Sequence, residues 1–517
     1  MAEPTKEVLE AVLQEMLAVY QATVQMIRQR IAELPDDVPD IPDVPDIPDV
    51  PDVPDVPDVP DVPDVPPVPD PPSEPDNTVG SANVRKVPVT LDTTFKYNTN
   101  GNTSLVTYEH PDGSSRQLFA FYNKNRRLHI AERTFPAGHW QTPVDIHTAA
   151  NGNTALELDN HNFTAVGICP QTGHILVANN MHVDPLRMAR SNNPYDISGG
   201  WTNFAQSQIK GEYYKRITYP SFSSVGLGPN ERLVLSQRDQ KAGGGIPRFK
   251  TGIMIFNSDA SELEVIPFST GMYLRLYTTN MARDEVTGNI HLAGLWRDES
   301  LSKERRVWTH NDYFHMYSPN GKDWYQYERT AKLQMPLIWD DFGRNWKSGV
   351  ANMPKGYVVP HNIWNSSEGD PFPYTSGSLA IDAKGYPHML MDDDKGKLWH
   401  HYWNGTKWTS VKPSVNTSTD DPFGYKEGAA MIANSNDSVT FQQLLPYKNP
   451  RLIAKGYTNG MSNLVIDKGA HKLGWVSLMV YPSGSEAPRT TGKNRDDEAY
   501  TLSIPLDQLE TVTTFRK

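Results

Sequence analysis

Between Asp159 and Asp239 the chain gathers side chains able to move a proton beside a carboxylate. The run DNHN at 159–162 sets His161 and Asn162 just ahead of an apolar stretch. ANNMHVDPLR at 178–187 sets Asn180, His182 and Arg187 at the end of the next one. TYPSF at 218–222 and SQRD at 236–239 add Tyr219 and Arg238, the latter opening a glycine-rich loop. Such a set suits β-elimination on a uronic acid. The proton on the carbon next to the carboxylate is too weakly acidic to leave until that charge is countered, which a bidentate arginine or a protonated histidine does. A base then takes the proton and an acid delivers one to the departing glycosidic oxygen; neutral histidine and tyrosine span both tasks near neutral pH. His161 or Tyr219 would be base and acid, Arg238 with His182 and Asn180 would hold the carboxylate, and Asn162, Arg187, Trp296 and Arg297 would touch the rest of the sugar. The competing reading makes each a packing or surface residue, and only convergence in space separates the two.

The elements that must bring them together are strands. From about Asn77 to Lys517 the sequence is rich in Trp, Tyr, Gly and Asn, and short alternating apolar runs recur between turn residues: RLHIAERTF at 127–135, HILVANNMHV at 174–183, RLVLSQRD at 232–239, NIHLAGLWRD at 289–298, YPHMLMDDD at 386–394 and GWVSLMVYP at 474–482. These are all-β signals. Separations of roughly 45–60 residues suit four-stranded propeller blades, and the length suggests seven of them over 77–517. A pair of stacked β-sandwiches is the alternative.

Two further segments precede this body. Over residues 5–34, Leu13, Leu17, Tyr20, Val24, Ile27, Ile31 and Leu34 recur at spacings of four and three, the seam of a left-handed coiled coil. Thr5 is a candidate N-cap and Pro35 a stop, so residues 1–34 are expected to form an oligomerising helix, with dimer and trimer both open; a helix docking on its own domain is the alternative. From Val38 to Asp64 the chain reads Val/Ile-Pro-Asp nine times without a break. Proline at every third position removes one backbone donor in three, which leaves polyproline II and predicts a semi-rigid linker over 35–76.

The net charge of -12 is unevenly spread. Residues 1–76 hold 19 of the 61 acidic groups against three of the 49 basic ones, leaving 46 basic and 42 acidic groups for the body. An acidic polymer fits as partner; no Lys/Arg-rich run points to nucleic acid, and no apolar run is long enough for a membrane span. The single cysteine, Cys169, excludes an internal disulfide and thiolate-rich zinc sites, so neither a metal nor another cofactor is expected. Asp392, Asp393 and Asp394 read as a solvated turn rather than a hydrolase pair, and GGG at 243–245 lacks the Lys-Ser/Thr of a phosphate loop. The start, MAEPTKEVLE, has no basic or apolar signal regions, so a secretory signal is not expected.

Taken in order, DNHN, ANNMHVDP, TYPSF, SQRD, NIHLAGLWRD, the Asp-box-like SPNGKDW at 318–324 and SLAIDAKGYPHMLM at 378–391 resemble the BNR-type propeller family that contains the ulvan lyases. The resemblance covers most of residues 90–410. It implies a seven-bladed propeller and an eliminative cut of an acidic polysaccharide, with the family's two active-site histidines on His161 and His182, its tyrosine on Tyr219 and its arginine on Arg238. The turn SVGLGPNER at 224–232 looks longer than in that family. The family's structural zinc, held by histidines and two cysteines, has no counterpart here. Such a body behind a stalk and an oligomerising helix reads as a phage tail-spike-like depolymerase in a virion, or an extracellular bacterial enzyme. The alternatives are a non-catalytic glycan-binding adhesin or receptor-binding tail protein, and a purely structural fibre.

Overall fold

The computed structural model describes the chain between Arg85 and Leu506, with interruptions of which the longest are 95–102, 147–161, 240–247, 299–308, 339–377 and 483–498. The helix and linker expected over 1–76 lie outside the described residues, as do His161 and Asn180. The chain divides into two units, Met1–Ser73 and Glu74–Lys517, and the second is the one described below.

This unit is a β-propeller. Among the described residues, meanders of antiparallel strands succeed one another in chain order, and their first strands are Leu105–Glu109, Ala165–Ile168, Ile217–Val225, Leu274–Arg283, Ser378–Ile381, Thr419–Tyr425 and Met461–Asp467. Each sheet packs against the next, and the strand Met461–Asp467 lies beside Leu105–Glu109, so the sheets close into a ring.

The packing explains why the apolar runs are denser than simple alternation. Along Ser115–Asn123, residues 118 to 122 are all buried. Successive side chains of a strand point to opposite faces. Leu118, Ala120 and Tyr122 therefore meet Val166 and Val177 of the second sheet, while Phe119 and Phe121 meet Val465 and Met479 of the last. A strand between two neighbouring sheets has no solvent face. Burying each such large side chain contributes about 1.5–3 kcal/mol.

Arg85–Pro88 pairs antiparallel with Tyr500–Pro505, so the last sheet is built from both ends of the described chain. A buried polar network ties that sheet to the first. The Asp467 carboxylate accepts from the Thr107 backbone N–H at 3.0 Å, from the Thr107 hydroxyl, and from the N–H groups of Gly469 and Ala470. The Gln117 amide donates to Asp467 and to Ser477 Oγ, and its oxygen accepts from Arg133 Nε at 2.7 Å. Burial raises the Asp467 pKa despite these donors, and it lowers that of the Arg133 guanidinium to about 10.

The Asp-box-like segment forms a compact turn after the strand Thr309–Ser318. Ser318 Oγ accepts from the Gly321 N–H at 2.8 Å and Asn320 Oδ1 from the Lys322 and Asp323 N–H groups. Trp324 is fully buried, edge-on to Phe268 at 5.0 Å. The same device recurs at equivalent places in neighbouring sheets, where Asn257 Oδ1 accepts from Ser261 N–H and Asn404 Oδ1 from Thr406 and Lys407 N–H.

Candidate functional site

The third sheet carries the convergence. Its first strand, Ile217–Val225, has Arg232–Asp239 on one side and the short strand His182–Asp184 on the other. Thr218 is the Cα partner of both His182 and Arg238. Cα partners in such ladders stand about 5 Å apart, which sets the backbones of His182 and Arg238 about 10 Å from each other across Thr218.

Both pairings are irregular at this point. Toward Arg232–Asp239 the register passes from Thr218↔Arg238 to Ser221↔Ser236, so Tyr219 and Pro220 together face the single residue Gln237. Pro220 offers no N–H to a ladder, which suits a bulge and little else within a strand. Toward His182–Asp184 the register passes from Ile217↔Asp184 to Thr218↔His182, leaving Val183 as the extra residue. Tyr219 itself adopts φ +58°. A left-handed backbone costs an L-residue such as tyrosine about 1–2 kcal/mol, and strain of this kind persists only where the surroundings over-determine it. Two bulges and one left-handed tyrosine thus frame Thr218, which is fully buried.

Neighbouring groups complete the frame. The Tyr219 ring stacks on Phe163, centroids 5.3 Å apart with planes at 24°, a contact worth about 0.5–1.5 kcal/mol beyond its buried area. Asn162, next to Phe163, is buried with its Oδ1 unpaired among the described residues, as is Asn179 with its Nδ2. The His182 backbone N–H donates to Asp184 Oδ2 at 3.2 Å, and Asp184 Oδ1 accepts from Arg187 Nη2 at 3.4 Å. Arg187 is tied in further through its own backbone: its N–H points to Met181 Sδ and its carbonyl accepts from Asn179 N–H. Arg187, expected from the sequence as a substrate contact, braces the His182 turn in the structure.

Trp296 and Arg297 stand in the next sheet, near the end of the strand Ile290–Asp298, with Leu276 and Arg275 as partners on Leu274–Arg283. Arg297 there occupies the place that Arg238 has in the third sheet: each is the penultimate residue of a second strand that ends Arg-Asp. His182 and Arg238 are thus brought into one register across Thr218, Tyr219 follows in the bulge, and Asn162 joins them through its neighbour Phe163, which stacks on Tyr219. His161 and Asn180 fall outside the described residues.

A cavity of about 550 Å³ lies elsewhere, among the other ends of the first strands, walled by Thr107, Gly167, Ser223, Arg283, Asp382 and Asp467. Several of its ionisable groups are already engaged. Arg283 pairs with Glu231 at 3.3 Å and Glu285 at 2.6 Å; Asp284 Oδ1 accepts from Val286 N–H, and Asp382 Oδ1 from the Lys384 and Tyr386 N–H groups. Asn162, His182, Tyr219 and Arg238 are not part of its walls, and the candidate site remains at Thr218.

The sequence reading missed a set of buried histidines. His291 Nδ1 lies 3.1 Å from His315 Nε2, and in the following sheet His388 Nδ1 lies 3.1 Å from His400 Nε2, with His388 Nε2 3.2 Å from Asp382 Oδ2. The two pairs occupy equivalent positions, His291 opposite Tyr317 and His388 opposite Tyr402. Desolvation holds all four imidazoles neutral: His291 is pushed down to about 4, His388 falls less because Asp382 favours its charged form, and His315 and His400 lie well below the usual range. The signal was an aspartate six or seven residues ahead of a histidine, Asp284 to His291 and Asp382 to His388.

Comparison with known proteins fits this geometry. The family described as BNR repeat-containing matches residues 116–415. The solved polysaccharide lyase Uly1 aligns over 80% of this chain and 92% of its own at 14% identity and a TM-score of 0.58. A PL25 ulvan lyase aligns over 82% and 99% at 15% identity and 0.51, as does the same lyase bound to -[GlcA(1-4)Rha3S]-. At these identities the likeness establishes the fold. No match comes from the curated protein sequences.

Proposed function

Because the chain belongs to the BNR repeat-containing family, whose propeller it shares, we propose that it is a polysaccharide lyase cutting a uronate-containing polymer, ulvan-like or a bacterial capsular or exopolysaccharide, by β-elimination. One observation carries the reading: His182 and Arg238 flank Thr218 in register, and Tyr219 follows in a strained bulge. Bulges beside functional sites re-aim side chains, and strained backbone gathers where geometry serves chemistry.

In this mechanism Arg238 and His182 neutralise the sugar carboxylate. The C5–H bond breaks as Tyr219 or His161 takes the proton. The electron pair forms the C4=C5 double bond, the C4–O bond breaks, and the other of the two groups protonates the departing oxygen. Each of the seven first strands is read as the start of one blade. Residues 13–34 would assemble the chain into a dimer or trimer and residues 35–76 would hold the propeller away from that assembly, an arrangement suited to a phage tail spike or fibre; fusion of residues 1–34 to a monomeric reporter with no change in sedimentation would remove the oligomer.

The test is direct. The full chain is incubated with a panel of uronate polysaccharides while absorbance at roughly 235 nm, where a conjugated enol ether absorbs, is followed. Rising absorbance with chain shortening is expected. Retention on immobilised glycan without shortening would instead identify a lectin-like adhesin.

A further inference from the structure

We propose that Phe163 is a positioning residue for the Tyr219 phenol, a role that rests on the lyase reading above. Tyr219 sits in a bulge where two residues face one, next to a proline without an N–H, and a bulge re-aims the side chain it carries. Its ring stacks on Phe163, nearly parallel at 5.3 Å.

Phe163 is well placed to set that orientation because its own segment is clamped. It is buried, at 6% exposure. The next residue, Thr164, is fully buried and donates its hydroxyl to the Ala120 carbonyl at 2.9 Å, fastening the segment to the first sheet. Two residues further on, the Val166 N–H donates to the Thr103 carbonyl at 2.7 Å, and Thr103 Oγ1 in turn accepts from the Phe222 N–H at 3.0 Å, on the same strand as Tyr219. The face on which the phenol rests and the strand that carries it are therefore held through one shared residue, Thr103. A proton donor or acceptor must be held close to its productive geometry, and this stack supplies that constraint.

The experiment compares wild type with Phe163→Leu, Phe163→Met and Phe163→Tyr in the full chain, reading kcat and KM separately on a cleaved polymer, with kcat followed across pH. Loss of the flat ring is expected to lower kcat at least tenfold in Phe163→Leu and Phe163→Met, to leave KM within about twofold, and to move the limb of the pH profile that reports the phenol. Phe163→Tyr, which keeps the ring, restores both. If Phe163→Leu loses its native circular dichroism, Phe163→Met carries the comparison. An active wild type with both non-aromatic variants unchanged in kcat, or with KM alone altered, overturns the positioning role. A wild type without unsaturated product removes the lyase reading, and the phenol's task falls with it.

Discussion

Acidification should unfold this propeller earlier than its carboxylates alone require. His291, His315, His388 and His400 are buried and neutral. In the unfolded chain an imidazole titrates near 6.5. Their folded values lie below that, so the unfolded state binds more protons at low pH; the stability they carry is complete above about pH 6.5 and is lost as pH falls toward the folded values. For His291, whose folded value is about 4, the difference amounts to about 3 kcal/mol once the pH has dropped through both. Each of the four that protonates only on unfolding steepens this loss by up to about 1.4 kcal/mol per pH unit. The assay is urea unfolding at constant ionic strength from pH 8 to 4.5. His291→Gln removes one titrating ring, and its slope should be shallower by about 1.4 kcal/mol per unit. Stability that stays flat from pH 7 to 5, or a variant slope equal to that of wild type, refutes the reasoning.

Other outcomes follow from the same structure. Asp467→Ala leaves the Thr107, Gly469 and Ala470 N–H groups and the Gln117 amide without their acceptor, and should cost on the order of 3–5 kcal/mol in urea unfolding. Trp324→Ala empties the place of a fully buried indole and should cost about 3–5 kcal/mol, whereas Asn320→Ala in the same turn should cost about 1. Tyr219→Phe should lower the rate of unsaturated product formation by about 10²–10⁴ while circular dichroism stays native, since only the hydroxyl is lost.

Much of the body is legible in the residues. RLHIAERTF and GWVSLMVYP fall on Leu128–Thr134 and Trp475–Pro482 because apolar, β-branched and aromatic runs between turns have few other uses. HILVANNMHV divides into Ile175–Ala178 and His182–Asp184, which join different sheets; no local pattern marks that transfer. The bulge at Tyr219 was half visible, since a proline inside a strand-like run argues for one. That Thr218 would stand between His182 and Arg238 was not, because pairing register depends on which faces are buried by strands far away in the chain. The histidine pairs were hidden for the same reason: His291 and His315 lie 24 residues apart, and only the fold makes them neighbours.

The pairing of Arg85–Pro88 with Tyr500–Pro505 has a mechanical consequence. Tension transmitted through the residues before Arg85 reaches the propeller at this seam. Stress applied along the strand loads its hydrogen bonds in shear, so they resist together rather than parting one after another as in peeling. The fastener that shuts the circle is also the grip by which the body would be pulled.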